Sequence, residues 1–142
     1  MSKVYIISVF AENKPGRLER VTKVLTEANI NILAFSITST NGFGVIKFMV
    51  NKCKEAYDLL KEKGFTVSLN EAIGIEMKDQ PGGLYEVVKI LSSKGINIES
   101  ASVYVAETRK RAYLIVEVDD TSKAMEALSG EPLKFLNPEE IQ

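Results

Sequence analysis

From Val4 to Phe10 the chain is almost wholly apolar and rich in β-branched and aromatic residues, which predicts a strand. Polar Glu12-Asn13-Lys14 and then Pro15-Gly16 follow, a turn that opens a helix with proline near its first position. Leu18, Val21, Leu25 and Ala28 recur at helical spacing, with Val24 beside them. Ile32 to Thr38 reads as a strand, Asn41-Gly42 as a hairpin turn, and Val45 to Val50 as the returning strand. Ala56, Leu59 and Leu60 mark a second helix that Gly64 ends, and Phe65 to Leu69 a fourth strand. The order is β-α-β-β-α-β, the split βαβ or ferredoxin-like unit.

The pattern then repeats. At an offset of 66, nine of the eighteen residues from Pro15 to Ile32 are identical to those from Pro81 to Ile98. Pro15-Gly16, Leu18, Val21, Lys23, Leu25 and Ile30-Asn31-Ile32 fall on Pro81-Gly82, Leu84, Val87, Lys89, Leu91 and Ile96-Asn97-Ile98. Farther on the offset is 68, with Val50, Ala56 and Leu60 on Val118, Ala124 and Leu128, and it returns to 66 at Gly64 and Gly130. The two extra residues lie near Glu107-Thr108-Arg109-Lys110-Arg111, a longer hairpin tip. Two α+β units are expected, residues 1–70 and 71–142, each an antiparallel sheet with helices on one face. The second unit's first strand, Ala72 to Met77, follows the fourth strand of the first with almost no linker, so rigidly held units are expected.

A sheet face open to water alternates apolar with polar residues. Val4-Tyr5-Ile6-Ile7 and Val45 to Val50, with Lys47 as the exception, are apolar on both faces, so something must cover the helix-free side. A homodimer is the economical cover.

Charge and composition narrow the chemistry. Lys plus Arg is 18 and Asp plus Glu is 19, which disfavours a strongly basic nucleic-acid binder. Residues 1–70 carry 10 basic and 6 acidic side chains, net +4, and residues 71–142 carry 8 and 13, net −5. The absence of histidine removes Ser-His-Asp and Cys-His catalysis and imidazole metal sites. The single cysteine, Cys53, cannot form an intrachain disulfide and fits a reducing cytoplasm. With no apolar run near the roughly 20 residues a bilayer requires, no signal peptide and no nucleophile motif, the expectation is a soluble, cytoplasmic, non-enzymatic protein without cofactor or metal.

The turns Asn13-Lys14-Pro15-Gly16-Arg17-Leu18 and Asp79-Gln80-Pro81-Gly82-Gly83-Leu84 each join a strand to a helix N-terminus. Unpaired N–H groups and the positive end of the helix dipole suit a carboxylate there. Glycine admits a ligand close to the backbone. Asn13 and Asp79 can accept from an ammonium group, so an amino acid finds partners for both its charges. The plainer alternative is that Asn13 and Asp79 only cap or turn the chain.

The Pro-Gly-x-Leu turn and the Ile-Asn-Ile start of the second strand, each present twice, resemble those of two ACT domains in tandem, across essentially the whole chain. The resemblance is greatest to small stand-alone double-ACT proteins. It implies a regulatory module that binds an amino acid between the turn of one domain and the second strand of a neighbour, and passes the signal to a partner such as an enzyme of amino-acid metabolism. Asn13, Pro15, Gly16, Arg17 and Leu18 would form one half-site, with Asn31 and Ile32 facing the ligand. Asp79, Pro81, Gly82, Leu84 and Asn97 are the equivalent set. Arg17 can pair with a carboxylate and Gly83 cannot, so the two sites should differ.

Two alternatives stand beside this reading. One is an interaction or dimerisation scaffold with empty sites. The other is an RNA-binding module, since Asn41-Gly42-Phe43-Gly44-Val45-Ile46-Lys47-Phe48 resembles the RNP1 segment of an RRM, with Phe43, Tyr5 and Phe48 as stacking rings. Asn41 stands where a basic residue is expected and the second unit lacks the pattern, which weighs against RNA. Asp119-Asp120 before Thr121 reads as a helix cap, and Cys53 as the unreactive start of a helix.

Overall fold

The computed structural model describes residues 3–107 and 111–141 and, of residues 106 and 107, the backbone alone. Three residues of the expected hairpin tip, 108–110, lie outside the described set. The chain divides into two compact units, one spanning Tyr5–Asn70 with Ile141, the other Glu71–Glu140 with Lys3 and Val4. Six strands and four α-helices are found among the described residues, all strand pairs antiparallel where their register is defined.

The first unit runs β1 (Val4–Glu12), α1 (Arg17–Glu27), β2 (Ile32–Thr40), β3 (Phe43–Val50), α2 (Cys53–Glu62) and the beginning of β4 (Thr66–Met77). Its strands lie in the order β2-β3-β1, with β4 next to β1. Ile7 faces Phe48 and Val9 faces Ile46, so alternate residues of β1 and β3 share one face. Val21, Leu25, Ala56 and Leu60 from the helices pack on that face with Ile7, Val9, Ile46, Phe48 and Val50. A fully buried side chain such as Leu25 or Phe48 contributes roughly 1.5–3 kcal/mol over leaving it in water. On the opposite face Ile6, Ser8 and Met49 are buried as well, as the doubly apolar strands require.

The second unit runs from the end of β4 through α3 (Gly83–Ser93), β5 (Ser100–Glu107), β6 (Arg111–Glu117) and α4 (Thr121–Leu128). Ile73, Ile75, Leu114 and Val116 meet Val87, Leu91, Ala124 and Leu128 in its core. The Asp120 carboxylate accepts from the Lys123 N–H at 3.0 Å and caps α4, as its sequence indicates.

The strands differ from the expected ones in two places. Phe65–Leu69 and Ala72–Met77 read as separate strands, but β4 runs through both. Asn70, at the expected break, is held in the strand by Ser8 and Ser68, whose hydroxyls donate to its Oδ1 at 2.9 and 3.0 Å. The fourth strand of the second unit shrinks to one bridge, Ile75 to Phe135, framed by Glu76 N–H to the Lys134 carbonyl and Leu136 N–H to the Gly74 carbonyl, both 2.8 Å. Pro132 is the physical reason. Proline offers no N–H to a ladder, and the Leu133 N–H folds back to the Glu131 carbonyl at 2.8 Å, a three-residue turn centred on Pro132. Pro138 then opens a short 3-10 helix to Glu140.

Candidate functional site: two copies of one strand-to-helix turn

Both turns end on a glycine in the left-handed region, Gly16 with φ 90° and ψ −12° and Gly82 with φ 86° and ψ −9°. An L side chain is strained at such a φ, which explains glycine at the cap. Asparagine or serine would ordinarily satisfy the first helical N–H groups. A glycine cap has no side chain to do so. Internal bonds satisfy some of them: Arg17 N–H reaches the Lys14 carbonyl at 3.2 Å and Gly83 N–H the Gln80 carbonyl at 2.9 Å. The N–H groups of Leu18 and Glu19, and of Leu84 and Tyr85, gain nothing from their caps. A Cβ added to Gly16 or Gly82 would meet nothing within 4 Å, so neither glycine is required by crowding at its Cβ position.

The flanking residues differ. Asn13 is exposed, and its N–H donates to the Gly42 carbonyl at 2.7 Å, tying the first turn to the β2–β3 hairpin. Arg17 is half-buried and its Nε is buried without a hydrogen-bond partner among the described residues. Leu18 packs against the first core. In the second turn Asp79 and Pro81 are exposed, Gly83 is buried, and Leu84 and Tyr85 stand out into solvent, 49% and 66% exposed. The Lys89 ammonium lies 6.0 Å from the Tyr85 ring centre.

The structure does not bring Asn31 and Ile32 to the turn of their own unit. Glu12 is level with Phe43 while Ile32 is level with Val50, at the other end of β3. Seven residues of strand separate them, roughly 23 Å. Asn31 is fixed there through both its backbone groups, its N–H donating to the side-chain Oδ1 of Asn51 at 3.0 Å and its carbonyl accepting from the Asn51 N–H at 3.1 Å. Ile32 packs partly on the first core. Asn97 likewise lies far from Asp79, in a 350 Å³ groove with Asp119 and Lys123.

Sequence reasoning missed a groove of 430 Å³ beside the first turn, formed by Phe10, Thr38, Thr40, Phe43 and Val45 on the face away from the helices. The register places these residues together, and only their alternation with core positions hinted at it. The three rings of the RNA-binding alternative do not form a platform. Phe48 is buried in the core with Tyr5 packed against the same core, whereas Phe43 points to the other face.

Among the described residues two groups have displaced proton affinities. Burial pushes the Cys53 thiol from 9.0 up to about 11, so it holds its proton and is a poor nucleophile. Burial also raises Tyr113, helped by Glu76 and Glu140 and opposed by Arg111. No group of three or more His, Cys, Asp or Glu able to hold a metal occurs among the described residues. Nor is any described helix long and apolar enough to cross a membrane.

Comparison with known proteins agrees with this architecture. The solved structure of protein BT0572 from Bacteroides thetaiotaomicron is 31% identical and superposes with a TM-score of 0.88 over 98% of this chain and 95% of that one. The ligand-free regulatory subunit of aspartate kinase from Thermus thermophilus shares the fold at 18% identity, with a TM-score of 0.61 over 91% and 92% of the two chains. The ACT domain-containing protein ACR3 of Arabidopsis thaliana is 28% identical over 148 residues, 85% of this chain and 33% of ACR3, so this chain spans a third of that relative's length. The family model of the ACT domain pair matches residues 2–142, and the chain belongs to that family.

Proposed function

We propose that the protein is a non-catalytic sensor that binds a free amino acid at its Pro-Gly turns and relays its presence to a partner, acting as a homodimer in the cytoplasm. One observation carries the reading: each turn ends on a left-handed glycine cap that offers no capping side chain to the helix N–H groups that follow. A carboxylate is the natural partner of such groups. Asn13 and Asp79 are the acceptors for the ammonium group, and Arg17 adds a positive charge to the first turn alone. Asn31, Ile32 and Asn97 lie too far from the turn of their own unit. In this reading a second copy of the chain supplies the strand that faces each turn. An enzyme of amino-acid metabolism suits the role of partner, in keeping with the aspartate kinase regulatory subunit that shares the fold.

A thermal-shift screen against the twenty amino acids tests this. A ligand at 100 times its dissociation constant stabilises the native state by about 2.7 kcal/mol per site, and one kcal/mol moves the midpoint by roughly 2–4 °C at this size. At least one amino acid should raise the midpoint by about 5–10 °C, and Arg17→Ala should shrink that shift. Silence across the whole screen leaves the scaffold reading. Exposed Phe35 and Ile37 on β2, and Val103 and Val105 on β5, favour that second reading, because both strands end their sheets with apolar side chains uncovered.

A further inference from the structure

On the face of the first unit away from its helices, Ile6, Ser8 and Met49 are buried, but farther along the strands two rings stand uncovered. Phe10 is 45% and Phe43 68% exposed. They are diagonal neighbours across β1 and β3, since Phe10 is level with Val45 and Glu12 with Phe43. With Val45, Thr38, Thr40 and Thr66 they line the 430 Å³ groove. The second unit shows what the fold itself asks of these positions. The repeat puts Glu76 at the place of Phe10 and Arg111 at that of Phe43, and Glu76 is level with Tyr113 as Phe10 is with Val45. One unit thus carries two charges where the other carries two phenyl rings. The fold does not require the rings, and aromatic side chains uncovered among hydroxyls have the makeup of a protein interface.

The charges around the patch say what fits it. Along β1 and β3 the same face carries Glu12, level with Phe43, at one end and Lys47, level with Ser8, at the other. Glu12 has an exposed contact with Lys14 at 3.5 Å, a kind of pair that holds weakly in water. A surface that runs from acidic through aromatic to basic matches its own reverse. A two-fold axis across the strands at the level of Phe10 brings the rings of two copies together and sets Glu12 of each toward Lys47 of the other. The same reversal carries Ile32, level with Val50, to the end of the strands where Asn13 follows Glu12. At that end the proposed turn site calls for a strand from a second copy.

We infer that the Phe10–Phe43 patch is the surface on which a second copy of the chain docks, face to face and reversed about a two-fold axis. The choice of occupant rests on the homodimer proposed above, and the surface and its arrangement go beyond it. The Asn13 N–H, bonded to the Gly42 carbonyl at 2.7 Å, ties the first turn to the hairpin that carries Phe43. The interface therefore adjoins the first turn.

Sedimentation velocity on the full chain across a concentration series tests this. The wild type should form a dimer. Phe10→Glu with Phe43→Arg, the charges that the second unit carries at these places, should weaken that dimer by at least about a hundredfold, with circular dichroism showing the fold intact. Glu12→Lys should weaken it by about threefold to tenfold, and adding Lys47→Glu should recover the loss. The charge exchange keeps both rings, so it decides the matter even if the ring variant fails to fold. Ile37→Lys, on the helix side of the β2 edge, should leave the dimer unchanged. A dimer that survives loss of the two rings, or one that Ile37→Lys breaks, would overturn this surface and leave the homodimer standing. A loss that Lys47→Glu does not recover would overturn the two-fold arrangement, as would assemblies that grow past the dimer. A monomer at every concentration would overturn the surface and the homodimer together, and the twenty-amino-acid screen then decides the turn sites separately.

Discussion

Arg17 and Gly83 occupy the same position in two copies of one turn, and they meet different surroundings. The caps before them agree within a few degrees, at φ 90° and 86°. Yet Gly83 sits so close to the end of β4 that a Cβ there would lie 1.9 Å from the Lys78 carbonyl oxygen, while Arg17 carries a long side chain with a buried Nε. The units also finish differently, the first with the start of a twelve-residue strand and the second with a single bridge. Repeated apolar residues hold the shared backbone. A few unrepeated ones (Arg17 against Gly83, and Pro132) decide which copy has a charge at its turn and which lacks a full fourth strand.

The largest effect is expected where the second unit replaces its missing strand. Leu136 is 2% exposed and covers Gly74, whose added Cβ would lie 2.6 Å from the Leu136 Cβ. Leu136→Ala should cost about 2–5 kcal/mol, as core leucine truncations do. Hydrogen exchange during urea titration reads each unit's loss. Protection of Leu91 and Val116 should fall while that of Leu25 and Phe48 holds. A fall of equal size in both sets would break the picture of two separately built cores.

The next largest effect concerns the turn itself. Gly83→Ala forces its Cβ onto backbone atoms, which cannot rotate away, and should cost about 1–3 kcal/mol. The reciprocal Arg17→Gly should cost no more than about 1 kcal/mol, the propensity difference at a helix position. Urea midpoints of the two variants check this. Equal losses would mean that α1 and α3 approach their strands alike.

Most of this architecture was legible in the sequence because apolar spacing and turn chemistry are local. Leu18, Val21 and Leu25 predict a helix wherever they end up, and Pro15-Gly16 predicts its start. The strand through Asn70 was not legible. Asparagine and glutamate resemble a linker until Ser8, from 62 residues away in sequence, supplies a hydroxyl to the Asn70 side chain. The lost final strand was half legible: Pro132 stands in the sequence, but the repeat argued for a strand there. The two strand-to-helix turns were legible as a repeated motif. That Asn31 and Asn97 stand at the far ends of their sheets follows from strand direction, which requires the full register.

A smaller effect tests whether the turns share one backbone. Gly16→Ala and Gly82→Ala each put a side chain into the left-handed region with nothing to strike, so each should cost only the conformational strain, about 1–2 kcal/mol. The two losses should agree within a few tenths of a kcal/mol, as near-identical dihedrals predict. Thermal midpoints without ligand make the comparison. A clear inequality would show that one turn is held by contacts the other lacks.

The smallest effect separates the units by pH. Cys53 opens α2 and the repeat places Thr121 at the start of α4; both are buried, but only Cys53 titrates. Burial lifts the Cys53 thiol from 9.0 to about 11. Between those values the unfolded chain has released the thiol proton and the folded chain still holds it. The unfolded state then binds fewer protons, so stability falls as pH rises through that window and is fully kept below pH 9. At pH 10 the loss from this group should be about 1 kcal/mol. Lysines and tyrosines of both units also titrate there, so the quantity to measure is the difference between the wild type and Cys53→Ala. The wild type should lose more stability than the variant between pH 8 and 10, by about 1 kcal/mol, with the excess confined to amides of the first unit. Parallel pH profiles for the two proteins would mean that the thiol reaches water when folded and that the starts of α2 and α4 are alike in kind.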